Sequence, residues 1–590
     1  MLPHKFIEAR LQAAVAAVLP GANLATVLVR PCPDAQFGDY QANALMALAK
    51  ERKLNPRQLA TEVLARLDVA GVCAPVTVAG AGFLNFRLLP EALNAALRAA
   101  ARGEHHFFQP TAQPRTYVVD FSSPNVAKPM HIGHIRSTIL GDALARLLRL
   151  LGHRVVTDNH IGDWGTQFGK LLVGWKTRLD AAALAADPIQ EMERLYKTVH
   201  AAGEADPAVL EQARRELVQL QEGDAENLAI WRRMIELSQV QFDDIYSRLR
   251  VTFDHTYGES FYNSRLKGVV TELRDRGIAV ESEGAMVVFS DGTRPPKEDP
   301  FLKQEAGEWK PNPALVQKSD GAANYTTTDL ATLAFRWETW RPDVVLYVTD
   351  GRQQLHFQQL FAIHRRWRPE AAMQLEHVWF GSILGDDGKP YKTRSGEVVR
   401  LSDLLDEAAE RAFQVVREKN PELPEAECRR IGRVVGLGAV KYADLLPNRQ
   451  SDYVFSWDKM LAFNGNTIPY LLYAYARIRS IFRKAAAEAP VAAAAEPAAV
   501  AAVTPEEVAL AKHLLRLDFV LAAVADDYRP NFLCAYLYEL AGHFARFFEN
   551  CPVLKASPAE RASRLVLCDL TAGVLKQGLE ILGIEVLEQM

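Results

Sequence analysis

Cysteine is scarce in this sequence, and its six cysteines do not occur in C-x-x-C pairs. Zinc sites built on cysteine need such closely spaced pairs, and small secreted domains need a denser cysteine framework. The pattern therefore argues against a zinc site and against a disulfide scaffold. It fits a protein of the reducing cytoplasm that uses no zinc.

Long apolar runs are also missing. No uninterrupted hydrophobic stretch approaches the ~20 residues that span a bilayer, so we expect no membrane partner. A short apolar stretch, 13–19, follows charged residues near the start of the sequence and shares some features with an export signal. The favoured interpretation is an amphipathic first helix of the mature protein.

A strong excess of one charge is the third absence. The net charge is only −4, with 24% charged and 49% hydrophobic residues, which is the composition of an ordinary soluble globular protein. Nucleic acid would have to bind to local basic patches, because counterion release depends on the phosphates that are contacted. At 590 residues the chain exceeds the ~250–300 residues of a single hydrophobic core, so several domains are expected.

Composition and periodicity divide the chain into four regions of a multidomain α/β protein. Residues 1–112 mix helical and alternating apolar patterns, which predicts a compact α+β domain. Residues 113–400 are predicted to form a parallel-sheet domain with a charged, helical insertion at about 176–320. Residues 401–460 are predicted to be a helical connecting segment, and residues 461–590 an all-helical domain.

The residues that carry chemistry lie in a predicted βαβ unit. A short buried strand, 117–121, is followed by a polar loop, by a helix with apolar residues at i, i+4 spacing, and by a second strand, 154–157. Between the first strand and the helix stand His131 and His134, with Gly133 between them. Helix N-termini attract phosphate, and a glycine lets a base or a phosphate approach the backbone. The pattern predicts a nucleotide pocket at the carboxyl ends of parallel strands.

The histidine pair is compatible with two simpler interpretations. An isolated H-x-x-H at a helix start is commonly a pair of structural histidines or half of a metal site. A metal site would need cysteine or carboxylate ligands close by in the sequence, and none is evident. The strand before the pair and the glycine within it favour the nucleotide pocket.

Residues 131–134 have the sequence H-I-G-H, which resembles the signature of class I aminoacyl-tRNA synthetases. The residues just before it, 123–130, resemble the arginine-specific family of that class. Other segments resemble the same family in the same order, and they are Phe37–Gln41, Asn159–Gly169, Gly388–Gly396 and Gly465–Tyr470. The resemblance therefore covers nearly the whole chain.

The resemblance implies a fold and an activity. The fold is a Rossmann-like catalytic domain with an insertion, preceded by an added tRNA-binding domain (1–112) and followed by an all-α anticodon-binding domain (461–590). The activity is the ATP-dependent ligation of L-arginine to tRNA(Arg) through an arginyl-adenylate, with ATP as a substrate and Mg²⁺ beside it. The implied enzyme is a monomer that typically needs bound tRNA before it activates the amino acid.

A pocket for arginine needs a particular set of groups. The guanidinium is planar, permanently charged and carries five N–H donors, so carboxylates and amide oxygens must be placed to accept them. The resemblance assigns the arginine site to Asp120, Asn125, Tyr325, Asp329 and Gln353. Taken alone, an aspartate that ends a strand is often a loop cap, and a tyrosine and an aspartate four residues apart are often one face of a helix.

A second phosphate-binding element is implied by the loop from Lys389 to Arg394, which stands where class I enzymes carry K-M-S-K-S. The loop departs from that pattern because the second lysine is missing, and Lys128 resembles the family's substitute. The resemblance assigns ATP binding to His131, Gly133, His134, His356, Lys389 and Lys392. It assigns the catalytic role to Lys128, His131, His134, Lys392 and Arg394. Without the resemblance, such a basic run would usually be a solvated surface.

Aromatic and basic residues alternate in the last region, as stacking on anticodon bases and contact with phosphates require. The predicted tRNA contacts are Tyr470, Tyr473 and Arg477 in this region, and Phe37 and Tyr40 near the start. Most tyrosines in such a pattern simply belong to a core. The region also holds an Ala/Pro-rich stretch, 485–503, which is typical of an exposed loop or connector.

Two other functions are compatible with parts of the sequence. A small-molecule nucleotidylyltransferase also uses an H-x-G-H element on a similar sheet, but its chemistry requires neither the helical last region nor the first domain. A non-catalytic tRNA-binding paralogue needs no ATP site, whereas this chain has both histidines, Lys128 and the acidic residues.

Overall fold

The computed structural model describes residues 1–385, 387–391, 399–488 and 500–590. Lys392 and Arg394, which the sequence assigned to catalysis, lie outside the described residues, as does most of the Ala/Pro-rich stretch. The chain forms two compact units. The larger unit is Thr111–Met460, and the smaller unit combines Met1–Pro110 with Leu461–Met590.

The larger unit is built on a four-stranded parallel sheet, here called the central sheet. Its strands are, in spatial order, Gln374–His377, Val344–Tyr347, Thr116–Asp120 and Arg154–Asp158. The two inner strands are almost entirely apolar and buried, as strands covered on both faces must be. The predicted parallel sheet is confirmed, and its carboxyl edge brings together the last residues of all four strands.

A helix, Ile132–Leu150, connects two neighbouring strands of the central sheet as predicted. Its apolar face is buried, and Leu144, Leu147 and Leu148 have no exposed surface. Burial of each such leucine contributes about 2 kcal/mol relative to an exposed position. This packing fixes the N-terminal end of the helix at the carboxyl edge of the sheet.

The insertion is helical only in its first part. The helices before and within it are Gln167–Arg178, Ala181–Ala186, Pro188–Ala205, Pro207–Glu222, Ala225–Leu249 and Asn263–Asp275. The next segment, 280–317, forms antiparallel strands instead, so the helical prediction is wrong there. The strands are Val280–Ser282, Ala285–Val288, Leu302–Glu305, Glu308–Pro311 and Ala314–Gln317.

The reason for this difference lies in two tight turns. Glu283 and Gly284 both adopt positive φ angles (51° and 77°), and so do Ala306 and Gly307 (52° and 86°). Two successive positive φ angles produce the hairpin turn that matches the twist of antiparallel strands. The sequence prediction followed charge and composition, and it overlooked the glycine that ends each turn.

The remainder of the larger unit is mainly helical. Its helices are Tyr325–Trp340, Gln354–Trp367, Leu401–Lys419, Glu425–Leu445 and Trp457–Met460. A short parallel pair, Ile383–Leu384 with Tyr453–Val454, joins the segment after the central sheet to the last helices. No helix in the described parts of the chain is long and apolar enough to cross a membrane.

The smaller unit packs an α+β segment against a helical one. The helices of the first segment are Pro3–Val18, Ala44–Arg52, Pro56–Leu64 and Pro90–Ala101. They cover an antiparallel sheet with the order Arg30–Pro31, Tyr40–Ala42, Phe83–Phe86 and Thr77–Ala79. The helices of the second segment are Ile468–Glu488, Pro505–Leu514, Leu517–Asp527, Asn531–Asn550 and Pro558–Ile581.

Ion pairs join the two segments of the smaller unit. His4 Nε2 lies 2.9 Å from Asp518 Oδ2, and Lys512 Nζ lies 2.6 Å from Asp39 Oδ1. The regions predicted as separate first and last domains therefore pack into one compact unit. Sequence periodicity carries no information about such a long-range contact.

Candidate active site

The loop after the strand Thr116–Asp120 has a strained backbone. Ser122, Ser123 and Ala127 have positive φ angles of 74°, 50° and 60°, which residues other than glycine rarely adopt. The Ser123 amide donates to Asn159 Oδ1 (3.1 Å), and the Ala127 amide donates to Ser238 Oγ (2.9 Å). Such conformations persist where the surroundings enforce them, and they cluster at functional sites.

The two predicted histidines cap the helix Ile132–Leu150. His131 Nδ1 accepts the Gly133 amide (3.0 Å), and His134 Nδ1 accepts the His131 amide (3.1 Å). The two rings lie 4.0 Å apart. Because each Nδ1 accepts a hydrogen bond, we infer that the neutral rings carry their proton on Nε2 and can donate it to a ligand.

Both histidines are held in the neutral form. Burial and, to a smaller extent, the neighbouring His131 lower the pKa of His134 to about 3. Burial, followed by the charge of Lys128, also lowers the pKa of His131. At neutral pH the pair therefore offers N–H donors to an anion rather than positive charges.

The amides at the start of this helix already have partners, which corrects the expectation that they are open to phosphate. The Ile132 amide donates to Val399 O (3.0 Å), and the His134 amide donates to His131 O (2.8 Å). The amide of Gly133 is held by the His131 ring, and a Cβ at Gly133 would lie 2.8 Å from Cε1 of that ring. The glycine is thus needed for the position of His131, and the imidazole N–H groups are the groups that face a ligand.

Residues 399–401, which follow the predicted phosphate loop in the sequence, lie against the His131 turn. The Leu401 amide donates to Met130 O (2.9 Å), so residues 399–401 run alongside residues 130–132. Lys389, the first residue of the predicted loop, is exposed, and its carbonyl oxygen accepts the Gly385 amide (2.8 Å).

One helix of the insertion, Pro188–Ala205, contacts two cationic side chains, of which Lys128 lies close enough to His131 to lower the pKa of that histidine. Lys128 Nζ lies 5.4 Å from the centroid of the Tyr196 ring, and Lys170 Nζ lies 5.6 Å from it. Glu193 of the same helix accepts a hydrogen bond from Arg400 (3.3 Å). The sequence singled out Lys128 but gave no indication that Tyr196 would hold it.

An acidic cluster lies at the same edge of the central sheet. Asp329 Oδ2 lies 2.6 Å from His356 Nε2, so a residue predicted to bind arginine contacts one predicted to bind ATP. Burial, together with the carboxylates of Asp163 and Asp329, raises the pKa of Glu259 to about 8. The pKa of Tyr325 is raised by burial and by Glu259. These acidic groups form a pocket suited to a cation, to which Glu259 adds its charge above a pH of about 8.

Glu259 is the site residue that the sequence prediction missed. It follows Gly258 and begins a short 3-10 helix, Glu259–Tyr262, in the connection between two longer helices, and its amide donates to Ile161 O (3.1 Å). No periodic pattern marks such a position. The available signal was its place in a loop, since loops held on a rigid scaffold commonly carry functional side chains.

Asp120 has a different environment from the one predicted. Its carboxylate accepts a hydrogen bond from Arg336 (2.6 Å), which also donates to Asp158 (2.7 Å). All three side chains are buried. Asp120 Oδ1 also accepts the Ser123 hydroxyl (3.2 Å). Its charge is therefore matched by a guanidinium of the protein itself, beneath the pocket.

The remaining predicted arginine ligands are exposed. The backbone beside Asn125 pairs with Gly162, and a Cβ at Gly162 would lie 2.4 Å from Asn125 Oδ1. Gln353 ends the turn that leads into the helix of His356. The Tyr325 side chain is 68% exposed at the start of the helix that carries Asp329. The side chains of all three are therefore accessible to a ligand.

The described residues contain no group of three or more His, Cys, Asp or Glu side chains placed to hold a metal ion. All six cysteines are free thiols. Mg²⁺ in nucleotide sites is commonly held by the phosphates, waters and one or two carboxylates, so this geometry is compatible with a metal that arrives with ATP.

The predicted tRNA contacts lie in the smaller unit and differ in exposure. Phe37 is 53% exposed, whereas Tyr40 is only 4% exposed and packs between His4 and Phe519. The Tyr40 ring therefore belongs to the core and cannot stack on a base in this conformation, which corrects the prediction for that side chain.

The three predicted contacts in the helical segment lie on the helix Ile468–Glu488. Tyr473 is 47% exposed, and the Arg477 guanidinium lies 5.4 Å from its ring centroid. Tyr470 lies against another partly exposed tyrosine, Tyr538, at 5.6 Å. Aromatic rings and a cation are thus grouped on one surface.

Three protein-family models match the chain in sequence order. The model described as tRNA synthetases class I (R), catalytic domain, matches residues 98–457. The DALR anticodon binding domain matches residues 471–590, and the arginyl tRNA synthetase N terminal domain matches residues 5–88.

Curated relatives are similar over the whole chain. The arginine–tRNA ligase of Chromobacterium violaceum is 46% identical over 594 residues, which cover 100% of both chains. That of Erwinia tasmaniensis is 46% identical over 567 residues, or 95% of each chain.

Solved structures with a similar fold also cover the whole chain. The arginyl-tRNA synthetase of Plasmodium falciparum has a TM-score of 0.81 at 27% identity, covering 100% of this chain and 99% of that one. The arginyl-tRNA synthetase of Thermus thermophilus has a TM-score of 0.80 at 25% identity, covering 100% of both.

Proposed function

Because the chain belongs to the arginyl-tRNA synthetase family of class I, we propose that it ligates L-arginine to tRNA(Arg) at the expense of ATP. The observation that carries this proposal is the pairing of two sites at one edge of the central sheet. A negative pocket around Glu259 and Asp329 suits a guanidinium, and the donors of His131 and His134 suit a phosphate.

The first step joins arginine to AMP. A carboxylate oxygen of arginine attacks the α-phosphorus of ATP, a new P–O bond forms, and the bond to the β-phosphate oxygen breaks to release pyrophosphate. The protein contributes alignment and groups aimed at the charge that develops on the phosphates. We assign this role to the Nε2–H groups of His131 and His134 and to Lys128, with Lys392 and Arg394 from the loop.

The rest of the proposed ATP site is assigned from the family resemblance. His356, Lys389 and the backbone at Gly133 complete the proposed binding surface for the nucleotide. ATP enters as its Mg²⁺ complex, in which the ion shields the phosphate charge. In the second step the terminal ribose hydroxyl of the tRNA attacks the carbonyl carbon of the adenylate, and AMP leaves.

The guanidinium of the substrate is proposed to lie between Asp329 and Glu259, with the Tyr325 hydroxyl as a further partner. Asn125 and Gln353 provide exposed amide groups for the polar end of the amino acid. We assign Asp120 an indirect role, because its carboxylate is engaged by Arg336 and fixes the floor of the pocket.

The regional assignments remain part of the proposal. Residues 1–112 would grip the tRNA with exposed groups such as Phe37, residues 113–400 would carry out the chemistry, residues 401–460 would connect, and residues 461–590 would bind the anticodon. A cytoplasmic location is supported by the free cysteines. A monomeric state is carried over from the family resemblance.

The decisive test measures aminoacylation with each amino acid in turn, ATP and bulk tRNA. We expect an acid-precipitable product with arginine and with no other amino acid. Pyrophosphate exchange that stays absent even with cognate tRNA would contradict the proposal and favour a protein that only binds tRNA. A nucleotidylyl product without transfer to tRNA would favour the small-molecule enzyme.

The raised pKa of Glu259 predicts that arginine binding depends on pH. The carboxyl is largely protonated below its pKa of about 8 and becomes charged above it, whereas the guanidinium stays charged throughout. We therefore expect the KM for arginine to fall as the pH rises through about 8. Kinetics at several pH values would be compared with those of Glu259→Gln, which should lose this part of the dependence. Identical pH profiles in both proteins would contradict the role of Glu259.

The contact between Tyr196 and Lys128 predicts a smaller kinetic effect. Replacing Tyr196 by leucine should lower the kcat of pyrophosphate exchange about three- to fivefold, because an exposed cation–π contact is worth about 0.5–1 kcal/mol. The Tyr196→Phe variant keeps the ring and should behave like the wild type. An equal loss in both variants would instead indicate a role for the hydroxyl group.

A further inference from the structure

A cavity of about 700 Å³ in the helical segment of the smaller unit is strongly basic. Among the described residues that line it, none is an acid and four are cations, namely Arg477, Arg483, Lys484 and Lys555. Tyr473 and Phe548 share the wall, and the guanidinium of Arg477 lies 5.4 Å and 4.8 Å from their ring centroids. Cations beside accessible aromatic rings are the groups that bind single-stranded nucleic acid.

The segment Leu587–Met590 forms one side of this cavity. Leu587 is fully buried, whereas Gln589 and Met590 line the cavity. Glu588 lies between the buried residue and the lining residues. An acid at this position is unexpected beside four cations that face an anionic ligand, because its charge repels phosphate.

Side chains of the helix Ile468–Glu488 hold Glu588 in place through hydrogen bonds. The Tyr475 hydroxyl donates to Glu588 Oε1 (2.8 Å), and Arg479 Nε donates to Oε2 (2.8 Å). Arg483 donates to the backbone carbonyl oxygen of Glu588 (2.7 Å) and also lines the cavity. The same three contacts therefore anchor the segment and orient one of the cations.

We propose that Glu588 is a positioning residue for tRNA binding, which fixes Gln589 and Met590 as a wall of the basic cavity that receives an unpaired stretch of the tRNA. The inference rests on the proposed function, but it concerns affinity for tRNA and leaves the chemical steps unchanged. Glu588 contacts Tyr475, Arg479 and Arg483. It affects tRNA binding only by fixing the positions of Gln589 and Met590.

Replacing Glu588 by alanine separates two physical effects of opposite sign. Electrostatics alone predicts tighter binding, because the change removes a negative charge beside a surface that binds phosphates. Loss of the anchor predicts weaker binding, because the side-chain contacts with Tyr475 and Arg479 are removed and only the backbone contact with Arg483 still holds the segment. We expect the KM for tRNA to rise about five- to tenfold with an unchanged kcat, which is the signature of lost uniform binding.

Three further variants sharpen the test. Glu588→Gln keeps an acceptor for Tyr475 and should retain most of the affinity. The double variant Gln589→Ala/Met590→Ala removes the wall without changing the charge and should raise the KM for tRNA as Glu588→Ala does. Asp526→Ala removes an equal charge from an exposed position on the helix Leu517–Asp527 and should leave the KM for tRNA unchanged.

Tighter or unchanged tRNA binding by Glu588→Ala, at a wild-type kcat, would overturn the inference. If kcat, the KM for arginine and the thermal midpoint all deteriorate, the variant is misfolded, and the double variant then decides the question through its own KM for tRNA. A wild-type protein that fails to arginylate tRNA would overturn the proposed function instead, so the two failures can be told apart.

Discussion

Replacing Asp329 by asparagine is expected to raise the KM for arginine at least about 30-fold, because loss of one partner of a close charge pair costs about 2–5 kcal/mol. The amide keeps the shape of the side chain but removes the charge that a guanidinium needs. We do not expect Glu259 to compensate, because burial, the largest cause of its raised pKa, remains when Asp329 loses its charge. Aminoacylation kinetics at varied arginine and saturating tRNA would measure the effect.

The control for this variant is His356, because its Nε2 lies 2.6 Å from Asp329 Oδ2. If Asp329 acted only by holding His356, then His356→Ala would reproduce the arginine defect. We expect His356→Ala to raise the KM for ATP instead. A parallel loss of arginine and ATP use in Asp329→Asn, with a lower thermal midpoint, would show unfolding and would count against the assignment.

Replacing Lys128 by methionine should lower the kcat of arginine-dependent pyrophosphate exchange about 100- to 1,000-fold, the usual effect of removing one group that stabilises transition-state charge. Methionine keeps an unbranched apolar stem but has no charge. The charge is needed because the neighbouring His131 and His134 have lowered pKa values and are neutral at pH 7. The KM for ATP should change much less, and exchange is measured with tRNA present.

A matched control for Lys128 lies on the same aromatic ring. Lys170 Nζ is 5.6 Å from the Tyr196 centroid, compared with 5.4 Å for Lys128 Nζ, but Lys170 also contacts His200 Nδ1 at 2.8 Å. Lys170→Met should therefore leave kcat near the wild-type value. Equal losses in both variants would mean that general positive charge around Tyr196 matters, and that Lys128 has no special place at the phosphates.

The phosphate side of the site could be predicted from sequence because its parts are neighbours in the chain. His131, His134 and Lys128 lie within seven residues, directly after a recognisable strand. Local propensity and the position of a helix start are short-range properties, so the pattern locates them well. The structure differs from the sequence prediction in one respect. The first amides of the helix already have hydrogen-bond partners, so the N–H groups of the histidines are the donors that face a ligand.

The arginine side depends on contacts that no local pattern contains. Glu259 and Asp329 are 70 residues apart in the chain, and the pKa of Glu259 is raised by burial and then by the nearby charges of Asp163 and Asp329. Arg336 neutralises Asp120 from a distant helix, so the charge of Asp120 could not be judged from its own surroundings in sequence. In the smaller unit, Tyr40 is buried against Phe519, so its ring is not available for the tRNA contact that the sequence predicted.

By itself, the sequence determined the parallel sheet, the helix that starts at the histidines and the family of the chain, because these follow from periodicity and from residues close together in one segment. Only the tertiary structure decided which acids share a pocket, which are neutralised by a buried guanidinium, and which aromatic rings reach the surface. The physical reason is that charge, protonation and exposure depend on neighbours in space, and chain folding brings those neighbours together from hundreds of residues apart.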